Sequence, residues 1–275
     1  MPTTLFDLND RVALVTGAAQ GMGRSMAMAF AEAGGDLVLV DLNLEGAEKT
    51  AEEIRGLGRR ALAVRCDVSN PEQIDDLFVQ VDREFGQIDI LGNVAGEGVL
   101  CDPLELELQT LEKVLWNLAI GRFYMCQQAG KRMIANGRGS IMSFGSIGGF
   151  QSLGRGHCAY AMAMGAVIAM TRDLSTEWAG KGVRVNAILP AQTMNPGLEQ
   201  RFVADPNLKK RYLTGLPVGR LGKPDDIQTV ALFLASDASS FITGVILPMD
   251  GGNTAMVAGG SPMAWGDTVN GYDEW

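Results

Sequence analysis

The sequence predicts an α/β fold in which a doubly wound parallel sheet lies between two layers of helices. Three observations predict it. Short runs of apolar, often β-branched residues alternate with longer amphipathic stretches, the runs are apolar at nearly every position, and a glycine-rich turn follows the first run. Strands that are covered on both faces have this composition, and helices between successive strands make neighbouring strands parallel.

The predicted elements follow from where these two patterns change along the chain. Continuous apolar runs predict strands over Val12–Thr16, Leu37–Asp41, Ala61–Cys66, Ile88–Asn93, Ser140–Phe144, Val183–Leu189 and Val245–Met249. Amphipathic stretches predict helices from the first strand to about Ala33 and over Leu44–Leu57, Pro71–Phe85, Leu104–Asn117, Ala119–Ala135 and Cys158–Ala179.

Two regions depart from this alternation. Residues 192–217 hold three prolines and a charged helical stretch, Glu199–Arg211, which suits a mobile cover over a pocket. Because no linker-like composition interrupts residues 1–253, we expect one domain there, with the substrate pocket included. In the tail, 254–275, small residues favour a loose terminus, whereas Trp265, Tyr272 and Trp275 favour docking on its own or a neighbouring subunit.

The composition argues against several classes of partner. The 275 residues include 23 Lys and Arg against 32 Asp and Glu, so a basic face for nucleic acid is not expected. The four cysteines are far apart and are accompanied by one histidine, so no metal site is expected. No run reaches the ~18 apolar residues of a membrane span, and no signal peptide is expected. We therefore expect a cytoplasmic protein whose partner is a small molecule.

A dinucleotide-binding turn is predicted directly after the first strand. Residues 16–23 read Thr-Gly-Ala-Ala-Gln-Gly-Met-Gly and open a helix. Glycines at such a turn let the backbone approach a pyrophosphate, and the helix N-terminus favours its negative charge. Asp41, at the end of the second strand, is placed to accept hydrogen bonds from a ribose diol. Since Asp41 would repel a 2′-phosphate and Gln20 adds no positive charge, we expect NAD rather than NADP on a Rossmann-type sheet.

Further motifs resemble those of the short-chain dehydrogenase/reductase family, from about Leu8 to Gly252. They are the glycine spacing Gly17, Gly21 and Gly23, then Asp67-Val68, Asn93-Val94-Ala95-Gly96, Asn117, Ser146, Tyr160, Arg184-Val185-Asn186 and Asp250-Gly251-Gly252. The resemblance implies a seven-stranded sheet, a homotetramer or homodimer, and NAD(H)-dependent interconversion of a secondary alcohol and a ketone.

The resemblance also implies roles for individual residues. Tyr160 would pass the proton, Ser146 would hydrogen-bond the substrate oxygen, and Asn117 would hold a water in the proton path. The cofactor would contact Gly17, Gln20, Gly21, Met22, Gly23, Asp41, Leu42, Asp67, Val68, Asn93, Ala95, Gly96, Pro190, Thr193 and Asn195. By family topology, the substrate would meet Gly98, Gln151, Ser152, His157, Met194, Phe202 and Tyr212.

The chain departs from the family at one catalytic position. The family pairs its tyrosine with a lysine four residues later, whereas this chain has Met164 after Tyr160. Such a lysine holds the nicotinamide ribose and lowers the pKa of the phenol, and a cation at this range changes a pKa by about 1 to 3 units. We therefore expect reduced activity, with His157 as a candidate replacement base.

Three explanations of Met164 stay open at this point. A lysine was replaced deliberately, which a single base change would achieve. Alternatively, the chain is a natural oxidoreductase with an altered proton relay, or a non-catalytic NAD-binding pseudoenzyme that serves as a regulatory subunit.

Overall fold

A seven-stranded parallel sheet crosses the part of the chain that the computed structural model describes, residues 3–256. The strands are β1 (Val12–Thr16), β2 (Asp36–Asp41), β3 (Ala61–Arg65), β4 (Ile90–Asn93), β5 (Gly139–Phe144), β6 (Val183–Pro190) and β7 (Ile246–Met249). Their order is β3-β2-β1-β4-β5-β6-β7, and all neighbours are parallel. The predicted doubly wound sheet is confirmed, and the chain reverses its winding direction between β1 and β4.

Helices cover both faces of this sheet. They are α1 (Gly21–Glu32), α2 (Leu44–Gly56), α3 (Pro71–Glu84), α4 (Leu108–Leu115), α5 (Gly121–Ala135), α6 (Cys158–Trp178), α7 (Pro196–Ala204), α8 (Pro206–Thr214) and α9 (Ile227–Ala235). On one face α1, α2 and α9 bury residues such as Phe30 and Ile54 against the strands. On the other face α3, α5 and α6 bury residues such as Phe78 and Met125. The predicted three layers are therefore present.

The first helix begins differently from the next two. Asn43 caps α2 by accepting from the backbone N–H of Gly46 (3.1 Å), and Asn70 caps α3 by accepting from Gln73 (3.1 Å). By contrast, the side chain of Gln20 makes no capping hydrogen bond at the start of α1. The N-terminus of α1 thus keeps its first backbone N–H groups without a side-chain acceptor.

A π-helical turn, Trp116–Ile120, joins α4 to α5. The backbone N–H of Gly121 donates to the carbonyl of Trp116, five residues earlier, so the helix widens there without ending. The prediction of two separate helices was wrong in this respect, and α4 starts at Leu108 rather than Leu104. A change of helix register between two amphipathic stretches gives the same break in periodicity as a loop.

The sequence interpretation missed α9 altogether. Its residues, Ile227–Ala235, are apolar on most sides and lack the amphipathic alternation that predicted the other helices. The reason is structural, because Ile227, Ala231 and Leu234 are fully buried against the sheet and the remaining side chains are mostly half-buried.

The predicted cover consists of two helices, α7 and α8, rather than one. Asp205 breaks the helix because a residue before proline disfavours helical backbone, and it adopts an extended conformation (φ −136°, ψ 93°). Its carboxylate then accepts from the backbone N–H of Asn207 (3.0 Å) and caps α8. The cover has a small apolar cluster of its own, formed by Leu198, Leu208, Tyr212, Leu216 and Leu221.

The chain after β7 folds back on itself before the described part ends. The backbone N–H and hydroxyl of Thr254 donate to Asp250 (2.7 and 2.6 Å). The predicted docking of the tail falls largely on residues 257–275, which lie outside the described residues. None of the helices within residues 3–256 is long and apolar enough to cross a membrane.

Candidate active site

A cavity of about 450 Å³ lies at the carboxyl ends of β4, β5 and β6, beneath the cover formed by α7 and α8. Many of the residues that were predicted to contact the nicotinamide or the substrate line this cavity. They are Met22, Gly96, Gly98, Ser146, His157, Tyr160, Met164, Pro190, Thr193, Asn195 and Tyr212. In open α/β sheets, ligands bind outside the carboxyl ends of the strands, so the position of this cavity fits a binding site.

Tyr160 enters the cavity from the first turn of α6. The loop after β4 passes close to its ring, since a Cβ atom on Gly98 would lie only 2.5 Å from Cδ2 of Tyr160. The ring of His157 meets the Tyr160 ring edge-on, with centroids 6.1 Å apart. Nδ1 of His157 lies 2.7 Å from the carbonyl oxygen of Gly154, which can only accept, so Nδ1 carries a proton and Nε2 remains for a ligand.

Ser146 follows β5 and presents a hydroxyl to the same cavity. The residue is 7 % exposed, and its Oγ accepts from the backbone N–H of Gly148 (3.0 Å). A hydroxyl that accepts one hydrogen bond still has its own proton to donate. The Ser146 hydroxyl is therefore held in place as a donor for an oxygen in the cavity.

Asn117 supports the cavity from the π-helical turn. Its Oδ1 accepts from the backbone N–H of Glu97 (2.9 Å), which fixes the loop after β4. That loop turns at Gly96, whose φ of +130° favours glycine, and a Cβ there would lie 2.9 Å from Oδ1 of Asn117. The Asn117 side chain is thus engaged with the backbone, and the residue is not among those that line the cavity.

Met164 lies one turn after Tyr160 on α6. It is 1 % exposed and belongs to an apolar cluster with Val114, Leu118 and Val167. The thioether thus borders the cavity on one side and packs into the protein on the other. On the side of this cluster, an ammonium at position 164 would face apolar side chains.

Arg122, at the start of α5, was not predicted as a site residue, although it lines the cavity. It is 4 % exposed, and Nη2 donates to the carbonyls of Ala95 (2.9 Å) and Val94 (3.4 Å). Nη1 donates to the carbonyl of Phe144, and Nε has no partner among the described residues. Burial lowers the pKa of Arg122 to about 10, an effect that the nearby Tyr160 opposes. The guanidinium therefore remains a cation at neutral pH.

A signal for Arg122 does exist in the sequence. Met125, Cys126, Ala129 and Met133 recur at helical spacing and form the buried stripe of α5. Arg122 extends that stripe by one turn toward the N-terminus. An arginine on an otherwise apolar stripe requires buried partners, so the helical periodicity alone would have marked it.

The glycine-rich turn fits a pyrophosphate. Gly17 and Gly21 have positive φ values (+70° and +58°), and a Cβ on Gly23 would lie 2.1 Å from the carbonyl oxygen of Gly17. A Cβ on Gly21 would meet nothing within 4 Å, so the turn is open on that side. Together with the uncapped start of α1, this leaves backbone donors facing an open cradle of the kind that binds phosphates.

The end of β2 fits an adenosine ribose. Asp41 accepts from the backbone N–H of Ala19 (3.0 Å) and of Asn43 (2.9 Å), which orients its carboxylate over the glycine-rich turn. Each carboxylate oxygen can accept a second hydrogen bond, so hydroxyl groups of a ribose can still bind. Leu42 follows and exposes 56 % of its surface beside this position. The residues present thus fit a nicotinamide dinucleotide.

The structure places several other predicted residues away from the cavity. Asn93 is 1 % exposed, and its amide donates to the carbonyl of Arg122 (3.3 Å) and to Sγ of Cys126 (3.2 Å), which ties β4 to α5. Val68 is buried as well, and Asp67 accepts from the backbone N–H and hydroxyl of Ser69. The backbone N–H of Ala95 donates to Thr16. The following predicted substrate positions are exposed or belong to the cover rather than the lining: Gln151, Ser152, Met194 and Phe202.

Thiol chemistry is not favoured near this site. Burial raises the pKa of Cys66 to about 11 and that of Cys126 to about 12. Both thiols are therefore protonated at neutral pH and act as packing groups.

Comparison with known proteins finds relatives that match about nine tenths of the chain. A family model described as enoyl-(acyl carrier protein) reductase matches residues 17–254. D-threitol dehydrogenase of Mycolicibacterium smegmatis is 40% identical over 252 residues, which cover 90% of this chain and 95% of that protein. An NAD-dependent glycerol dehydrogenase of Listeria innocua is 35% identical over 249 residues, 90% of this chain and 96% of the relative.

Solved structures share the fold over the same span. A short-chain type dehydrogenase/reductase from Mycobacterium marinum superposes with a TM-score of 0.83 at 31% identity, covering 91% of this chain and 98% of that chain. A gluconate 5-dehydrogenase from Burkholderia cenocepacia, in complex with NADP and tartrate, gives a TM-score of 0.87 at 31% identity, with 92% and 99% covered.

Proposed function

The chain belongs to the short-chain dehydrogenase/reductase family, and on that premise we propose that it is a nicotinamide-dependent oxidoreductase that interconverts a secondary alcohol and a ketone. One observation carries the proposal. A tyrosine, Tyr160, and a serine hydroxyl free to donate, Ser146, line one cavity whose other walls include the nicotinamide-end positions Thr193 and Asn195. A proton carrier and an oxygen ligand are the two groups that carbinol chemistry requires of the protein.

The side chains divide the work between them. The nicotinamide, when bound, supplies the hydride acceptor in oxidation and the hydride donor in reduction. Ser146 donates to the substrate oxygen and orients it. Tyr160 takes the hydroxyl proton as phenolate during oxidation, or gives a proton to the oxygen as neutral phenol during reduction. Asn117 holds the loop that lies against Tyr160 and so keeps the phenol in place.

Within this proposal the cofactor is NAD. Asp41 would face the 2′-position of the ribose with a negative charge, which disfavours a phosphate there. Arg24, a cation in the first turn of α1, is the charge that could attract a 2′-phosphate. It is paired with Glu53 (2.5 Å), so its charge is partly neutralised. NADP is the competing possibility, because Arg65 reaches the carbonyl of Leu42 (3.3 Å) and the gluconate 5-dehydrogenase relative holds NADP.

The proposed substrate is a small polyol or the corresponding sugar acid. The relatives are named for threitol, glycerol and gluconate. In this chain the cavity of about 450 Å³ suits a molecule of that size, and its lining includes Arg155, His157 and Arg201. Hydroxyl groups would find donors there, and a carboxylate would find positive charge.

Self-association is part of the same proposal. The apolar side chains of Trp116, Ile120 and Phe123 recur along the joined helices α4 and α5 and expose about 40 % of their surfaces. Leu108 on the same helix pair is 74 % exposed. Apolar side chains that recur on one helix pair support contact with a second copy, as a homotetramer or homodimer of this family requires.

Met164 favours a second candidate function. A pseudoenzyme would bind NAD(H) and regulate a partner without turning over a substrate, and the apolar burial of Met164 is compatible with that role. If the chain is an enzyme, the missing ammonium should impair oxidation more than reduction, because reduction uses the neutral phenol.

A turnover assay separates the two candidates. The purified chain is incubated with D-threitol, glycerol or gluconate and with NAD⁺ or NADP⁺ at pH 7 and pH 9, with Ser146→Ala and Tyr160→Phe alongside. We expect turnover that rises with pH and that both substitutions reduce. If NADH binds tightly while no alcohol is oxidised and no ketone is reduced, the pseudoenzyme function is supported instead.

A further inference from the structure

One charged group in the cavity has no part in the chemistry described so far. Arg122 is buried, lines the same cavity as Tyr160, and has a guanidinium whose Nε lacks a partner among the described residues. Buried arginines are rare and are normally satisfied at each donor. An incompletely satisfied arginine in a catalytic cavity requires a reason beyond packing.

We propose that Arg122 supplies, from α5, the positive charge beside Tyr160 that Met164 does not supply from α6. The inference rests on the proposed function, since it concerns how Tyr160 is kept able to take a proton. Arg122 acts through Tyr160 and does not itself exchange a proton or contact the hydride.

The guanidinium of Arg122 is held at the edge of the sheet where the cavity lies. Its donors reach the carbonyls of Val94 and Ala95 after β4 and of Phe144 at the end of β5. These carbonyls lie at the carboxyl ends of β4 and β5, where the cavity begins. A Cβ on Gly96 would lie 3.4 Å from Nη2 of Arg122, which is ordinary contact distance, so the loop after β4 runs directly beside the guanidinium.

The hydrogen-bond partners of Arg122 leave its positive charge without a counter-ion. All of its hydrogen-bond acceptors are backbone carbonyls, which fix the guanidinium but do not neutralise its charge. In a site of low dielectric constant, an uncompensated cation acts over several ångströms. Tyr160 lies close enough to oppose the lowering of the Arg122 pKa that burial causes, and both residues line the same cavity.

The other titratable and charged groups around the cavity do not replace Arg122. Glu97, Arg155, His157 and Arg201 also line it, and Cys126 lies beside Arg122 on α5. Glu97, Arg155 and Arg201 are exposed, so solvent screens their charges. His157 is partly exposed, and its Nδ1 is already engaged with the carbonyl of Gly154. Arg122 is thus the buried cation among the described residues of the lining.

A lysine at position 164 would have two tasks: to place a positive charge near Tyr160 and to hold the nicotinamide ribose. Arg122 supplies charge, but its Nη1 and Nη2 donors are held by backbone carbonyls, so we do not expect it to hold the nicotinamide ribose. We therefore expect the chain to retain a reactive Tyr160 while it binds the dinucleotide more weakly than a lysine-containing form.

A titration of Tyr160 tests the inference without any substrate. Ultraviolet difference spectra follow tyrosinate formation with pH in the parent chain, Arg122→Gln and Arg122→Lys, and the same series with Tyr160→Phe isolates the Tyr160 signal. We expect the midpoint to rise by about one to two pH units in Arg122→Gln and to stay near the parent value in Arg122→Lys. An unchanged midpoint in Arg122→Gln would overturn the inference.

Arg184 provides a matched control for structural effects. It is another arginine of the interior, donates to Ser239 (2.7 Å) and the carbonyl of Ser236 (3.2 Å), and lies at the opposite end of β6 from the cavity. Arg184→Gln should lower the melting temperature as Arg122→Gln does, with no shift of the Tyr160 midpoint. Equal shifts in both variants would show that Arg122 acts only through stability. If Arg122→Gln does not fold, Arg122→Met, which also removes the charge, takes its place in the titration with the same expected rise.

A double-mutant cycle on turnover gives a second reading. Met164→Lys should raise the alcohol oxidation rate at pH 7 several-fold more in the Arg122→Gln background than in the parent, because only there is the cation absent. Equal gains in the two backgrounds would contradict the inference. If none of these forms shows turnover, the proposed function fails, while the Tyr160 titration still decides the role of Arg122.

Discussion

Met164 occupies a well-packed position one helical turn after Tyr160, where we expect it to alter the chemistry without disturbing the fold. Met164 is 1 % exposed and belongs to an apolar cluster with Val114, Leu118 and Val167, so the position is well packed without a charge. A lysine there would gain a ligand only when a dinucleotide is bound. Residue 164 thus links the stability of the free protein to the affinity for the cofactor.

The first prediction concerns that link. Met164→Lys should lower the free energy of unfolding of the free protein by about 1–3 kcal/mol, because an ammonium enters an apolar cluster without a partner. Saturating NAD⁺ should recover part of this loss. Chemical denaturation with and without NAD⁺ measures both effects.

Met162→Lys is the matched control for this prediction. Met162 lies on the same helix but is 49 % exposed, so the same substitution there should change stability by less than about 0.5 kcal/mol. If Met164→Lys is as harmless as Met162→Lys, the cluster does not exclude charge and the account of position 164 is wrong.

Asp41 leads to the second prediction, on the choice of cofactor. Asp41→Ser keeps an acceptor for the backbone N–H of Ala19 but removes the negative charge. We expect the ratio of kcat/KM for NAD⁺ over NADP⁺ to fall about tenfold or more, since like charges at such a site cost several kcal/mol. Asp36→Ser, at the other end of β2, should leave the ratio unchanged. A ratio that does not respond to Asp41→Ser would point to Arg65 as the group that decides.

At the residue scale, sequence motifs identified the residues whose chemistry depends on local backbone or on a short pattern. Gly17, Gly21 and Asp41 could be placed because a turn after a strand and a carboxylate after the next strand are local features. Arg122 could not be placed in the same way. Its role depends on the carbonyls of residues 94, 95 and 144, which the sheet brings together from separate parts of the chain.

Among the elements, the cover lies directly against the cavity, because Leu198, Arg201 and Tyr212 line it. It has its own apolar cluster, and the segments before and after it are joined to each other by an isolated bridge between Thr193 and Gly222. Arg155 connects it to the loop before α6, because its guanidinium lies 5.0 Å from the centre of the Tyr212 ring. Gly154, Arg155 and Gly156 all have positive φ values, so the loop holds Arg155 in a conformation that few side chains adopt.

The third prediction tests this contact. Arg155→Ala should raise KM for the alcohol about two- to fivefold, the value of an exposed cation–π contact of 0.5–1 kcal/mol, with a smaller change in KM for NAD⁺. Steady-state kinetics measures both constants. Lys209→Ala removes an exposed charge from α8 and should change neither constant. Equal effects of the two substitutions would show that general charge, rather than the contact with Tyr212, controls substrate binding.

Element boundaries followed the sequence where local signals were strong and departed from it where packing decided. The starts of α2 and α3 are fixed by Asn43 and Asn70, which the structure shows as caps. The π-helical turn, the division of the cover at Asp205 and the apolar α9 depend on neighbours that are distant in sequence. Periodicity alone does not distinguish these cases from a loop, a single helix or a buried strand.

Although the whole molecule has a net charge of −9, part of its surface is apolar and exposed. Trp116, Ile120 and Phe123 are each about 40 % exposed on the joined helices α4 and α5. These helices also carry Asn117 and Arg122, so contact with a second copy would support the catalytic cavity from outside. Association and catalysis are therefore expected to be coupled.

The fourth prediction follows from that surface. Light scattering should give a mass of about four times the 29.3 kDa of one chain, and the double substitution Ile120→Glu and Phe123→Glu should reduce it, because charges replace apolar contact area. Val203→Glu places a charge on a still more exposed apolar position of the cover and should leave the mass unchanged. A parent chain that is monomeric would contradict the proposed assembly.

The central claim is that Tyr160 takes the proton while hydride leaves the carbinol carbon, and isotope transfer tests it most directly. D-threitol with deuterium on its secondary carbinol carbons is incubated with NAD⁺, and the deuterium content of the NADH formed is measured by mass spectrometry. We predict one deuterium for each NADH from the parent chain and a rate about 10²–10⁴-fold lower in Tyr160→Phe. NADH without deuterium, or a rate that Tyr160→Phe leaves unchanged, would contradict the account.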